Sequence, residues 1–143
     1  MNQISSLNLP NEPLSNFQLL DAVKKLKIPN FRGVYIRTEL PKKPRKKECG
    51  IMNLDGDLTD ETKGTHWTAW YKNNNNKIYF DSYGIQPPLE LIDYLREKTG
   101  DIQYSVDQIQ PSNTVICGHL CLYFINELMK GKNVSYLNTN FIP

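Results

Sequence analysis

Two aromatic-rich segments on either side of a run of asparagines constrain the fold of this chain more than any other feature. Residues 66–72 and 77–83 are rich in the aromatic and β-branched side chains that favour strands. The asparagines at 73–76 tolerate the left-handed backbone that a tight turn requires. The two segments therefore predict an antiparallel β-hairpin.

The length of the connection also predicts the register of this hairpin. If Lys72 pairs with Lys77, Thr68 falls opposite Asp81. Strand side chains alternate between faces, so His66 lies on the same face as Thr68 and becomes a diagonal neighbour of Asp81. Such neighbours lie about 7–8 Å apart at the backbone, within reach of an imidazole and a carboxylate. The competing interpretation is that Asp81 ends a strand and that His66 is an ordinary hydrogen-bonded polar group.

Other periodic patterns complete the expected fold. A helix begins at the capping box formed by Ser15 and Gln18, and its apolar face recurs until Pro29 ends the pattern. We therefore expect an α+β fold in which a central mixed β-sheet is flanked by helices. The further predicted elements are strands at 33–38 and 102–109 and helices at 89–98 and 117–130.

Length and composition bound the domain organisation. The 143 residues correspond to one ordinary domain, with an extended lead-in at 1–14 and a polar tail at 131–143. The composition is typical of a soluble globular protein, and no apolar run approaches the length of a membrane span. The first residues do not have the pattern of a secretory signal, so we expect an intracellular protein, and we expect it to be a monomer.

The cysteines and histidines exclude two classes of site. The chain has 3 cysteines, an odd number that does not suggest a disulfide framework. With only 2 histidines, their spacing fits no zinc site. We therefore expect a reducing compartment and no metal.

Residues 41–47, called the basic loop below, concentrate positive charge around two prolines. Such a segment is neither a helix interior nor a central strand, so we expect an exposed loop. A solvated turn is the ordinary interpretation, and a nuclear-import signal or a contact with nucleic-acid phosphates is the functional one. Its basic side chains are Lys42, Lys43, Arg45, Lys46 and Lys47.

The most apolar predicted helix begins at a cysteine. The positive end of a helix favours the thiolate form, so Cys117 is a candidate nucleophile. Gly118 leaves space beside the sulfur for a substrate carbonyl. His119 lies about 200° round the same helix and cannot reach back to the sulfur, which leaves His66 as the base. Cys121, one turn deeper on the apolar face, is expected to pack in the core.

Gln110 precedes Cys117 on a loop that contains proline, and it is a candidate for the oxyanion hole. Its side-chain amide could face the same carbonyl oxygen as the backbone N–H of Cys117. For Gln110 alone, an exposed polar loop residue is the competing interpretation. With Asp81 orienting His66, these residues provide the nucleophile, base and orienter that acyl transfer requires.

Four segments in this order resemble the adenovirus protease (adenain) family. Its wider group includes the SUMO-processing Ulp-type proteases, and adenain-like proteases also occur in large DNA transposons of the Maverick or Polinton kind. The segments are Gly64-Thr65-His66-Trp67, the run at 78–84, Gln110-Pro111-Ser112-Asn113, and Cys117-Gly118 followed by Cys121.

The resemblance implies a role for each matched residue, and it also has departures. Adenain has a glutamate where Asp81 stands, whereas the SUMO-processing enzymes have an aspartate. Adenain is activated by a peptide that forms a disulfide, and no cysteine lies between Cys49 and Cys117 to receive one. By this resemblance His66 is the general base, Asp81 its partner, Gln110 the oxyanion-hole side chain and Cys117 the nucleophile. Trp67 would line a narrow channel that admits small residues such as glycine.

The residues and the resemblance together predict a cysteine endopeptidase that cleaves at glycine-containing sites. The expected substrates are precursors of viral or transposon structural proteins, and the expected location is a virion or a host nucleus. No cofactor is needed for the chemistry, while DNA, through the basic loop, or a peptide remains open as an activator. The alternatives are a protease for ubiquitin-like modifiers and a catalytically inactive module that binds protein or nucleic acid.

Overall fold

Three helices and six strands make up the part of the chain that the computed structural model describes, namely residues 6–54, 66–96, 101–111, 114–132 and 138–142. The helices are α1 (Asn16–Leu26), α2 (Leu89–Leu95) and α3 (Cys117–Met129), and the strands are β1 (Phe31–Ile36), β2 (Lys47–Asn53), β3 (Trp67–Asn73), β4 (Asn76–Phe80), β5 (Ile102–Ser105) and β6 (Thr139–Phe141).

The strands form one mixed sheet whose spatial order follows the order of the sequence, β1 to β6. Strand β1 is parallel to β2, and β4 is parallel to β5 across the connection that contains α2. The remaining neighbours are antiparallel. The predicted α+β class with a central mixed sheet is confirmed.

The hairpin of β3 and β4 has the predicted register. Lys72 lies opposite Lys77, as the length of the connection requires. The strands extend further into the asparagines than predicted, so residues 74–75 alone form the turn. Asn74 adopts a left-handed conformation with φ of 55°, which asparagine tolerates better than most residues.

Helix α1 begins at the predicted capping box. The Ser15 hydroxyl accepts a hydrogen bond from the Gln18 backbone N–H at 3.2 Å, and the Gln18 side chain accepts one from the Ser15 backbone N–H at 2.8 Å. The helix ends at Lys27, which is left-handed with φ of 56°. Leu19 and Leu26 are buried and fix the helix to the sheet.

Each face of the sheet carries its own apolar core. On one face Ala69 and Tyr71 of β3 pack with residues of α1 and α3. On the other face Trp70 packs with residues of α2. Because side chains alternate along a strand, β3 contributes to both cores and lies at the centre of the fold.

The sequence does not predict β2, because this strand opens with two charged residues. Glu48 is 0% exposed, yet its carboxylate accepts hydrogen bonds on both oxygens. Gly50 lies against Trp70, and a Cβ at this position would come within 2.3 Å of the indole. Only the tertiary partners make this segment a buried strand. The donors to Glu48 are the Arg32 guanidinium, the Arg45 backbone N–H, the Trp70 indole and the Tyr94 hydroxyl.

Two elements are shorter than predicted. Strand β5 ends at Ser105, after which the chain turns toward α3. Helix α2 ends at Leu95, and Arg96 is already extended. Three predicted segments extend beyond the described residues: the helix at 97–98, the polar tail at 133–137 and 143, and the lead-in at 1–5. No helix within the described ranges combines the length and apolarity that crossing a bilayer requires.

Candidate active site

The fold brings three predicted site residues together at one end of the sheet. His66 lies just before β3, and Asp81 lies just after β4, so the antiparallel pairing places them side by side. Cys117 is the first residue of α3, which packs along β3. The Trp67 backbone N–H lies 3.4 Å from the Cys117 sulfur, which joins the start of α3 to the start of β3.

The imidazole of His66 is held by a buried carboxylate. His66 Nε2 donates to Asp81 Oδ1 at 2.7 Å, and the Tyr83 backbone N–H donates to the same oxygen at 2.9 Å. Asp81 is 0% exposed, and its backbone N–H donates to the Ser105 hydroxyl at 3.0 Å. Both the carboxylate and its backbone are therefore fixed, as an orienting group requires.

His66 and Cys117 line the same cavity, and their side chains interact electrostatically. Since Nε2 is bonded to Asp81, Nδ1 is the nitrogen that remains for the sulfur. Burial lowers the pKa of His66, but hydrogen bonds and charge interactions with Asp81 and Cys117 outweigh it and raise this pKa to about 9. The imidazolium form is thus favoured at neutral pH, next to the nucleophile.

Tyr83 lies in the run at 78–84 and belongs to the site, although sequence reasoning assigns no role to it. Its ring stacks on the imidazole of His66, with ring centroids 4.8 Å apart and an interplanar angle of 25°. The predicted register already places Tyr83 opposite His66, so the hairpin geometry contained the signal. The stacking restricts rotation of the imidazole and complements the bond to Asp81.

Gln110 is buried rather than exposed, with 1% of its surface accessible. Its Oε1 accepts a hydrogen bond from the Ser82 hydroxyl at 2.5 Å, and its Nε2 donates to the Thr114 carbonyl at 2.9 Å. A primary amide has two N–H donors, so one remains for a ligand. The interpretation of Gln110 as an exposed loop residue is therefore wrong.

A cavity of about 170 Å³ lies beside Cys117, the predicted nucleophile. It is small beside the roughly 300–1,000 Å³ of typical small-molecule sites. Cys117, His66 and Gln110 all line this one space, into which a reacting group can enter. Its lining residues are Pro13, His66, Tyr83, Gln110, Thr114, Val115 and Cys117.

The two predicted substrate-binding residues, Trp67 and Gly118, lie behind the nucleophile. Trp67 is 1% exposed, and its indole N–H donates to the Leu14 carbonyl at 2.9 Å. A Cβ on Gly118 would lie 3.3 Å from both Leu14 and Trp67. In this structure, Gly118 allows the lead-in and the indole to pack against the first turn of α3.

The other histidine and cysteines are engaged elsewhere. His119 Nε2 lies 2.9 Å from the Pro10 carbonyl, so its ring faces the lead-in. Cys49 and Cys121 are each 0% exposed, and burial raises the pKa of both thiols. Within the described ranges, no three His, Cys, Asp or Glu side chains are grouped as a metal site would require.

The basic loop lies at the other end of the sheet. Lys47, at the start of β2, pairs with Asn73, whereas His66 precedes the opposite end of β3. The 7 residues of β3 span about 20 Å. The side chains of Lys42, Lys43, Arg45, Lys46 and Lys47 are exposed.

Comparison with known proteins gives a structural match but no match in sequence. No family model and no curated protein matches the chain. The crystal structure of the ASFV pS273R protease has a TM-score of 0.60 and 17% identity, with 89% of this chain and 60% of that chain covered. Its selenomethionine form has the same score and identity, with 87% and 61% covered.

This likeness shows a shared fold. The chain spans about three fifths of the length of the ASFV protease. Gly64 and Thr65 of the first motif, and Ser112 and Asn113 of the third, lie outside the described residues.

Proposed function

We propose that this chain is a cysteine protease with Cys117 as its nucleophile. The observation that carries the proposal is the imidazole of His66, which is hydrogen-bonded to the buried Asp81 carboxylate and lines one cavity with Cys117, the first residue of a helix. This is the relation of nucleophile, base and orienter that thiol catalysis requires. The shared fold with the ASFV protease supports the wider group of Ulp-type cysteine proteases.

The geometry suggests how each group acts during hydrolysis. The Cys117 thiolate attacks the scissile carbonyl, and the oxygen that becomes negative is met by the second N–H of Gln110 and by the backbone N–H of Cys117. The His66 imidazolium gives its proton to the leaving amine, which leaves a thioester on Cys117. Neutral His66 then takes a proton from water as the water attacks the thioester, and collapse of the tetrahedral intermediate releases the acid and restores the Cys117 thiolate beside the His66 imidazolium.

The size of the cavity favours substrates with small side chains beside the scissile bond. A space of about 170 Å³ is shared by the reacting carbonyl and the residues next to it. We assign glycine-containing sites on this ground, and precursors of viral or transposon structural proteins as the substrates, as in adenain-like enzymes. Removal of a ubiquitin-like modifier is the alternative within the same chemistry.

A peptide library read by mass spectrometry tests the proposed function without a known substrate. The parent is incubated with peptides from a digested proteome, and new termini are compared with those made by Cys117→Ala and His66→Ala. We expect cleavage after glycine only in the parent. Termini that also appear with folded Cys117→Ala would contradict the proposal, and cleavage confined to an added diglycine-linked modifier would favour the alternative.

A second candidate function, binding of a nucleic-acid backbone, is favoured by the way the basic loop is held. Arg45 is fixed at both backbone groups, its N–H by Glu48 at 2.7 Å and its carbonyl by the Lys72 ammonium at 2.8 Å. The Lys46 carbonyl accepts from the Asn74 backbone N–H at 2.7 Å. The loop therefore presents its charges from a fixed backbone, which lowers the ordering cost of binding phosphates.

Fluorescence anisotropy with a labelled DNA duplex tests this second function. In the triple variant Lys42→Glu, Lys43→Glu, Lys46→Glu we expect the affinity for DNA and its dependence on salt to fall together. A protein that makes fewer phosphate contacts releases fewer counterions when it binds. Cys117→Ala serves as the control and should bind like the parent. Equal affinity of the triple variant would exclude the basic loop as the contact.

A further inference from the structure

Ser82 lies between two groups of the proposed site and has no role in the chemistry assigned so far. It directly follows Asp81 and is 0% exposed. Its hydroxyl donates to Gln110 Oε1 at 2.5 Å. Its backbone carbonyl accepts hydrogen bonds from the N–H groups of Ile109 and Gln110 at 2.8 and 3.0 Å. The residue next to the orienting acid is thus the attachment point of the loop that carries the oxyanion-hole amide.

The partners of Gln110 select one of the two orientations of its side-chain amide. The Thr114 carbonyl can only accept a hydrogen bond, so it must face Nε2. The Ser82 hydroxyl then donates to Oε1 at the other end. A reversed amide would place Oε1 against the Thr114 carbonyl, two acceptors in contact. The observed orientation keeps the NH₂ group on the side of the loop that leads to Cys117.

We propose that Ser82 is a positioning residue for the oxyanion hole. Its hydroxyl holds the Gln110 amide so that the N–H not used by Thr114 meets the carbonyl oxygen under attack. The inference rests on the proposed thiol chemistry of Cys117 and deepens it. The orienting acid is Asp81, and the next residue, Ser82, holds the oxyanion donor Gln110. The separation of the two groups is therefore set by one peptide unit of the chain.

Two small electrophiles separate the oxyanion hole from the reactivity of the thiol. Cys117 attacks p-nitrophenyl acetate at the carbonyl carbon, the carbonyl oxygen becomes negative, and p-nitrophenolate leaves as the carbonyl re-forms on the acetyl thioester. Iodoacetamide is attacked at its methylene carbon and loses iodide, with no charge developing on its oxygen. The ratio of the two second-order rate constants therefore measures stabilisation of the oxyanion, independently of access to the sulfur.

In Ser82→Ala we expect this ratio to fall about ten-fold, less than the ~10²–10³ typical of deleting a donor, because Gln110 is retained but loosened. The iodoacetamide rate constant should stay within about two-fold of the parent, since the thiol and its base are untouched. Gln110→Ala should lower the ratio further, and adding Ser82→Ala to it should have no additional effect, because Ser82 acts only through Gln110.

Thr68→Val provides a matched control. It removes another buried hydroxyl, which donates to the Met52 carbonyl at 3.4 Å and does not contact Gln110, so its ratio should equal that of the parent. An unchanged ratio in Ser82→Ala, or a full additional loss in the double variant, would overturn the proposal. A parent whose Cys117 does not react with iodoacetamide at all would overturn the proposed protease function, and this inference with it.

Discussion

At His66, two opposing influences act on one imidazole. Burial disfavours its charged form, whereas Asp81 and Cys117 favour it, and the net result is a pKa of about 9. The proton that a leaving amine needs therefore stays on the ring through neutral pH. The protonation of His66 is determined less by the imidazole itself than by the buried Asp81 carboxylate, which no solvent screens.

Replacement of the Asp81 carboxylate by the neutral amide of asparagine should move the pH profile of kcat/KM. In the parent we expect kcat/KM to fall at alkaline pH with an apparent pKa near 9, as His66 loses its proton. In Asp81→Asn this limb should shift toward the ordinary histidine value of about 6.5. The measurement is the pH dependence of cleavage of the fastest library peptide.

Glu90→Gln is a control for the loss of one negative charge, because Glu90 lies on α2 and pairs with Arg37 rather than with His66. Its alkaline limb should coincide with that of the parent. If the limb of Asp81→Asn also stays in place, Asp81 does not support the charge of His66.

At the level of secondary-structure elements, the hairpin of β3 and β4 determines the geometry of the site. Its turn fixes the register, and the register sets His66 beside Asp81. The backbone of Asn74 is left-handed, whereas Asn75 is exposed in the same turn with an ordinary φ. One asparagine of the run is therefore required by conformation, and its neighbour is not.

A pair of valine substitutions tests this distinction. Asn74→Val should lower the free energy of unfolding by about 1–2 kcal/mol, because a β-branched residue is strained in the left-handed region. Asn75→Val should change it by less than about 0.5 kcal/mol, as expected for an exposed surface site. Urea denaturation followed by circular dichroism measures both, and equal losses would show that the turn is not limited by φ at position 74.

The same elements show how far sequence reasoning reaches. The capping box at Ser15 and the hairpin register depend on neighbours in sequence, so they could be predicted. Strand β2 could not, because a buried Glu48 is acceptable only when donors from distant parts of the chain surround it. In the site, spacing pointed to His66 and Asp81, whereas the contact of Ser82 with Gln110 depends on how a loop docks.

Across the whole molecule, the sheet separates two chemically different ends. The carboxyl end of β4 and the start of α3 hold the proposed thiol site, while the start of β2 holds the basic loop. A polyanion bound at the loop would leave the cavity open, so the two proposed functions, DNA binding and peptide hydrolysis, do not compete for one surface. The charge of the site also affects the stability of the whole fold, because His66 is protonated differently in the folded and unfolded states.

This linkage predicts a loss of stability at alkaline pH. A group whose pKa is raised on folding stabilises the protein fully below its unfolded pKa, near 6.5, and the contribution is lost as pH rises through about 9. A shift of this size corresponds to at most about 3–4 kcal/mol, and solvent screening of the partly exposed ring reduces it. Urea unfolding of the parent and of His66→Gln at pH 6 and pH 9.5 measures the free energy of unfolding of both proteins. The difference between the two proteins should shrink at the higher pH, and taking this difference cancels the contributions of other titrating groups. A difference that stays constant between the two pH values would mean that the imidazolium is not stabilised by Asp81 and Cys117 in the folded protein.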